Sequence, residues 1–281
     1  MSDLETLAEA GCFGGVQGFY RHVSRECGGP MRFAVFLPPQ AKAGRVPSLF
    51  YLAGLTCTEE TFPIKAGAQR LAAEFGLALI APDTSPREPP LQGDRDAWDF
   101  GHGAGFYVDA TREPWSRHYR MFSYVTAELP RLIDANFPTD PARRGVFGHS
   151  MGGHGALVCG FRAPEIFRSV SAFAPIAAPS DSPWGVKALT GYLGHDRADW
   201  AAYDASALAR TRPREDEILV DQGLDDKFLA EQLKPERLEA ACAASGQRLR
   251  LRRHAGYDHS YWFIQSFVPD HLAHHARALG A

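Results

Sequence analysis

Short apolar runs without polar alternation punctuate the chain, and longer stretches of helical spacing separate them. Ser48-Leu49-Phe50-Tyr51-Leu52, Leu77-Ala78-Leu79-Ile80-Ala81, Arg144-Gly145-Val146-Phe147, Arg168-Ser169-Val170-Ser171-Ala172-Phe173 and Asp216-Glu217-Ile218-Leu219-Val220-Asp221 read as strands. Runs of this kind are covered on both faces. Helices predicted over residues 66–75, 119–136, 151–161 and 235–244 can supply that cover, and strand–helix alternation is the signature of a mostly parallel sheet. Gly76 and Gly246 should stop the first and last of these helices, and Ala163-Pro164 the third. Upstream, Phe19–Val23 and Met31–Leu37 flank the turn signal Cys27-Gly28-Gly29-Pro30, so an N-terminal antiparallel pair is expected. Arg248-Leu249-Arg250-Leu251-Arg252 alternates with period two, as a half-exposed edge strand with a solvated basic face does. Pro130 and Pro269 fall inside helical patterns, where the missing N–H and the ring should kink or break the helix.

Two stretches escape the alternation. Residues 84–118 carry Pro86, Pro89, Pro90, Gly101, Gly103 and Gly105 together with Trp98, Phe106, Tyr107 and Trp115; residues 174–200 run through Trp184 and Tyr192. Loops of such length are uncommon in a compact domain unless they serve a site, and their aromatic content suits an ordered wall. Residues 1–11 read as an N-terminal tail. With no internal repeat and no low-complexity tract, residues 1–281 read as a single α/β domain.

Composition narrows the class without choosing a function. A chain of 281 residues with 45% hydrophobic and 22% charged residues is ordinary globular material. A net charge of −3 argues against a nucleic-acid partner. Five cysteines at wide spacings, with no C-x-x-C pair, suggest neither a disulfide framework nor a structural zinc site. The N-terminus has no basic, apolar leader pattern, and no stretch approaches the roughly 20 apolar residues of a membrane span. A cytoplasmic setting, without membrane contact, is therefore expected.

The chemistry concentrates in Val146-Phe147-Gly148-His149-Ser150-Met151-Gly152-Gly153-His154-Gly155-Ala156-Leu157, which contains G-x-S-x-G between a predicted strand and a predicted helix. A serine nucleophile needs a sharp strand-to-helix turn with small residues on both sides. It also needs a histidine base, and the histidine needs an acid. On this type of sheet the chain order is serine, acid, histidine. Among eleven histidines, His259 lies in the loop after the last strand and before the last helix, the required place. His254 is its rival, but it continues the basic strand. His271, His274 and His275 have i, i+3, i+4 spacing that could suggest a metal face; with no carboxylate-rich partner set, a solvated helix face is the expectation. For the acid, Asp221 sits at a strand end, and Asp225 and Asp226 cannot be separated by pattern. The small-residue loop Ala53-Gly54-Leu55-Thr56-Cys57 after an early central strand is where half of an oxyanion hole would lie.

Several segments together carry a specific resemblance. Gly54–Thr58, Ala81–Arg87, Gly103–Thr111, Tyr119–Val125, Phe147–Leu157, Asp221-Gln222-Gly223 with Asp226 and Phe228-Leu229, and Gly256–Tyr261 resemble the S-formylglutathione hydrolase (esterase D) family, in order and from about Cys12 to the C-terminus. The resemblance implies an α/β-hydrolase fold, no cofactor and no metal, and a homodimer. It implies hydrolysis of S-formylglutathione to formate and glutathione in formaldehyde detoxification. The family pattern Gly-x-x-Asp-x-Phe falls on Gly223–Phe228 and selects Asp226, so the implied triad is Ser150, Asp226 and His259. Backbone donors at Leu55 and Met151 are implied for the oxyanion hole, and Cys57 matches a cysteine close to the site. Cys57 and Trp184 are candidates for the wall of a narrow acyl pocket. His102, the stretch Ala177–Ser182 and Pro269 depart from the pattern. The competing readings are a general short-chain carboxylesterase or acyltransferase on the same scaffold, and a non-catalytic binding protein.

Overall fold

In the computed structural model, which describes residues 4–281, one mixed sheet runs in the order β1-β2-β3-β5-β4-β6-β7-β8-β9. The strands are β1 Glu5–Cys12, β2 Gly15–Ser24, β3 Gly29–Leu37, β4 Val46–Leu52, β5 Ala78–Pro82, β6 Thr139–His149, β7 Ser169–Phe173, β8 Ile218–Gly223 and β9 Leu249–His254. β1, β2 and β3 pair antiparallel and β3 joins β5 antiparallel; every pairing from β5 through β9 is parallel. Crossovers through helices make that parallel half, and the continuous apolar runs are its buried strands: every residue of β4, β5, β7 and β8 is buried. This is the α/β-hydrolase architecture. The central strands stack aromatic side chains, with Tyr51 lying on Phe62 at 3.7 Å between centroids and Phe147 edge-on to both.

Four sequence expectations are corrected. Residues 1–11 do not form a tail throughout, because Glu5–Cys12 is strand β1, hydrogen-bonded along β2; residues 1–3 lie outside the described residues. Its side chains are almost all exposed, so no hydrophobic pattern announces it, and backbone pairing alone makes it a strand. The helix expected over 66–75 starts only at Gln69 and runs to Phe75; a separate short helix, Thr61–Lys65, precedes it, and Gly67 with φ 65° parts the two. The helix expected over 119–136 is built in pieces, a π-turn at Tyr124–Glu128 leading into Leu129–Asn136; the widened turn brings Pro130 into the first turn of the second piece, where its missing N–H costs nothing. Pro269 does not break the last helix, which runs from Tyr261 to Leu279. The carbonyl that Pro269 leaves without a donor belongs to exposed Gln265, where water can satisfy it.

The largest correction concerns His271, His274 and His275. They do not form a solvated face: all three are buried, His271 and His275 completely. The helix packs them onto β7, whose Ser169 and Ser171 point to the same side of the strand. The contacts run Ser169 Oγ to His275 Nδ1 (2.6 Å), His275 Nε2 to Ser171 Oγ (2.8 Å), Ser171 Oγ to His271 Nδ1 (2.7 Å) and His271 Nε2 to Asp221 Oδ2 (3.2 Å). One proton ordering satisfies the chain: each serine donates to the Nδ1 of the next histidine, and each Nε2–H donates onward to Ser171 or Asp221. Asp221 also takes Arg252 on both oxygens and His254. Burial alone would raise its carboxyl pKa, but the hydrogen bonds from His271 and Arg252 prevail and hold it well below the usual carboxylate range. Burial in turn keeps His271 and His275 below the ordinary imidazole pKa, consistent with neutral rings that can both donate and accept.

Candidate active site

β6 ends at His149, and the helix Met151–Arg162 begins immediately after Ser150, which alone makes the turn with φ 60° and ψ −121°. A non-glycine residue held there costs about 1–3 kcal/mol, so the surrounding structure must enforce it. The flanking glycines make that possible. A Cβ on Gly148 would lie 2.3 Å from the Gly152 carbonyl oxygen, and one on Gly152 would lie 1.9 Å from the Leu52 oxygen. Both obstacles are backbone, which cannot rotate aside. The Ser150 N–H donates to Phe173 O at 3.0 Å, and Ser150 O accepts from the His154 N–H at 2.9 Å, pinning the turn to β7 and to its own helix.

The ends of β8 and β9 supply the other two side chains. The Leu224 N–H donates to His254 O and the Asp225 N–H to Tyr257 O, both at 2.9 Å, so the loops after the two strands are joined by backbone bonds. Gly223 permits the approach, since a Cβ there would sit 2.4 Å from Tyr257 O. In this register Asp226 Oδ2 lies 2.5 Å from His259 Nδ1 and 3.4 Å from Gln222 Nε2, while Oδ1 accepts the Phe228 N–H at 2.9 Å. The buried carboxylate therefore has donors on both oxygens, which a buried charge requires. Asp225 is exposed and Asp221 belongs to the network behind the sheet. Of the three aspartates that the pattern left open, Asp226 is the one that meets His259. His254 stacks on Phe267 at 3.8 Å and reaches Asp221, as a strand-end residue.

The loop after β4 passes over the serine. A Cβ on Gly54 would lie 3.2 Å from Ser150 Cβ, so the backbone at Gly54-Leu55 packs directly on the turn. Its shape is braced from outside. The Thr56 N–H donates to Gly103 O at 2.8 Å, with Thr56 at φ 67°, and Cys57 O accepts from Thr84 Oγ1 at 2.6 Å and Arg87 Nη2 at 2.9 Å. Arg87 is itself held on both oxygens of Asp83 and touches His102 Nδ1 at 3.0 Å. His102, a departure from the expected pattern, thus supports the brace and does not line the cavity. Met151 opens its helix, so its N–H has no acceptor within the helix.

Ser150, His259, Leu55, Cys57 and Trp184 line one cavity of about 250 Å³. The lining also includes Trp98, from the excursion expected to wall the site, and Phe228, together with Lys65, His149 and Tyr261, to which sequence reasoning gave no role. Trp98 from the first excursion meets Trp184 from the second edge-on at 5.4 Å, Trp184 packs on Phe228 at 4.7 Å, and Phe228 is edge-on to His259 at 5.1 Å. Phe228 follows the acid by two residues, and its apolar ring in a polar loop was the available signal. His149 lies beside His259 with centroids 4.3 Å apart; burial, and then the charge of His259, pushes its pKa well down. It is a neutral ring against the reacting one. Burial also raises the Cys57 thiol pKa, which disfavours the thiolate that a cysteine nucleophile would need. Among the described residues no cluster of three or more His, Cys, Asp or Glu could hold a metal ion.

A serine on a strained strand-to-helix turn, beside a histidine–aspartate pair at the C-terminal ends of parallel strands, defines the class: an α/β-hydrolase of the serine esterase type. Comparison with known proteins makes this specific. The "Putative esterase" family profile matches residues 24–274. The chain is 54% identical to the S-formylglutathione hydrolase of Mus musculus over 99% of both chains, and 54% identical to that of Paracoccus denitrificans over 98% of both. The solved structure of an S-formylglutathione hydrolase from Agrobacterium tumefaciens superposes with a TM-score of 0.94 at 48% identity, covering 98% of this chain and all of that one. The chain belongs to the S-formylglutathione hydrolase family.

Proposed function

We propose that this chain hydrolyses S-formylglutathione to formate and glutathione, the hydrolytic step of formaldehyde detoxification, through an acyl-enzyme on Ser150. The observation that carries the reading is the 2.5 Å contact of Asp226 with His259, which shares one cavity with Ser150, in a chain so similar along its whole length to enzymes of that name. Asp226 fixes the His259 proton on Nδ1, which leaves Nε2 to take the Ser150 proton as Oγ attacks the formyl carbon. The N–H groups of Leu55 and Met151 receive the oxyanion, each worth on the order of 100-fold in rate. The C–S bond then breaks, the proton held on His259 Nε2 passes to the departing sulfur, and glutathione leaves as the thiol, which frees the base; a thiol of pKa about 8.5 needs little help from a general acid. Water, deprotonated by His259, releases formate and restores the serine. No cofactor enters this reaction.

The cavity volume supports a small acyl group, since drug-sized ligands occupy about 300–1,000 Å³. Trp184 and Cys57 would wall the acyl side, and Leu55, Trp98 and Phe228 give the apolar surface on which simple aryl esters could react as a side activity. With glutathione thioesters of increasing acyl length, kcat/KM should fall steadily from formyl through acetyl to butanoyl. A rise along that series would exclude a formyl-sized pocket. A homodimer in the cytoplasm completes the reading: the family supports the first, and five free thiols suit a reducing compartment.

A further inference from the structure

Lys65 is the one lysine or arginine among the residues lining the cavity. It ends the short helix Thr61–Lys65, whose last carbonyl is held by Gln265 Nε2 at 2.5 Å. Its side chain is exposed, and Nζ lies 5.9 Å from the centroid of the Tyr261 ring. Among the described residues Lys65 enters no ion pair. The two acidic side chains nearest it in the cavity are neutral at physiological pH, because burial raises the pKa of both the Tyr261 phenol and the Cys57 thiol. Among the described residues its charge is therefore met by no carboxylate, only by the ring of Tyr261.

Lys227 also enters no ion pair among the described residues, but it lies over the Phe228 ring at 4.9 Å and does not line the cavity; further cations that could compete for an anionic substrate are engaged elsewhere. Lys187 pairs with Asp99 and Arg87 with Asp83. The arginines of the edge strand are also committed: Arg248 to the Glu215 carbonyl, Arg250 to Glu217, Arg252 to Asp221 and Asp270, and Arg253 to Glu239. Glutathione carries two carboxylates and one ammonium, so its formyl thioester enters the site as a net anion. An unpaired ammonium on an aromatic wall beside the reacting serine is complementary to it.

We infer that Lys65 binds a carboxylate of the glutathione moiety and so selects thioesters whose thiol half is anionic. The inference rests on the proposed function. The carboxylate is remote from the reacting carbonyl, so the contact is made equally in ground and transition states and acts on KM, with kcat little affected.

The test compares kcat/KM for S-formylglutathione with that for the uncharged thioester S-formyl-N-acetylcysteamine. Lys65→Met keeps the apolar stem, Lys65→Arg keeps the charge and Lys65→Glu reverses it, all at an exposed position where folding should be retained. The preference for the glutathione thioester should fall about fivefold in Lys65→Met, the scale of a partly solvated ion pair. It should fall further in Lys65→Glu and recover in Lys65→Arg. Added salt should raise KM for S-formylglutathione in the wild type more than in Lys65→Met. An unchanged preference in both Met and Glu variants, or an equal loss on the two substrates, overturns the inference. If the wild type itself turns over only the uncharged thioester, the proposed function fails instead, whatever the variants do.

Discussion

Ser150→Ala should lower turnover of S-formylglutathione by about a millionfold, measured on purified protein with far-ultraviolet dichroism showing the fold retained. The size follows from loss of a bond-forming atom, not of a contact. Without Oγ no acyl-enzyme would form, and His259 would have no hydroxyl to activate; water attack aided by the proposed Leu55 and Met151 donors is all that would remain. The fold should survive, because the turn is held by Gly148, Gly152 and the Ser150 backbone bonds to Phe173 and His154, none of which uses the hydroxyl. The KM for whatever activity remains should change little, since the cavity wall is intact. A loss of only a few fold would mean that another group attacks the formyl carbon.

Asp226→Asn should be the next most damaging change, lowering kcat by about 10,000-fold. The introduced amide is nearly isosteric with the carboxylate and can still accept the Phe228 N–H through its carbonyl, so the loop geometry should persist. Its NH₂ group, turned toward His259, would donate to Nδ1. That forces the ring proton onto Nε2, the nitrogen that must accept the Ser150 proton, and the base is lost while its position is kept. The carboxylate that stabilises the imidazolium is lost as well. Asp225→Asn is the control: Asp225 is exposed and uses its backbone on Tyr257 O, so its variant should stay within about twofold of wild type. Equal losses in the two variants would remove Asp226 from the mechanism.

Much of the parallel half of the sheet was legible because most of its strands are short apolar runs buried on both faces. The serine turn was legible for a related reason: backbone proximity at Gly148 and Gly152 forbids any Cβ, and that prohibition is written in the sequence. Asp226 was not separable from Asp225 by pattern, since both follow one buried strand; the family resemblance chose between them, and the backbone bonds joining the two loops give the physical reason. The misread elements have different causes. Strand β1 forms a hairpin with β2 but has no hydrophobic pattern to announce it, whereas the histidines of the last helix depend on partners distant in sequence. His271 and His275 looked like a solvated face until Ser169, Ser171 and Asp221 were placed opposite them. The signal was divided between two segments: serines alternating within a buried strand, and an aspartate at the end of another. Lys65 left no signal, because its inferred role rests on its having no ion-pair partner among the described residues.

The most direct measurement is kcat/KM of the purified wild-type protein on S-formylglutathione beside 4-nitrophenyl acetate, under one set of conditions. A value for the formyl thioester at least about 100-fold above that for the aryl ester is expected from a small cavity with an oxyanion site and an unpaired cation. A protein that turns over the aryl ester readily and S-formylglutathione no faster would be a general esterase on this scaffold, and the assignment would be wrong.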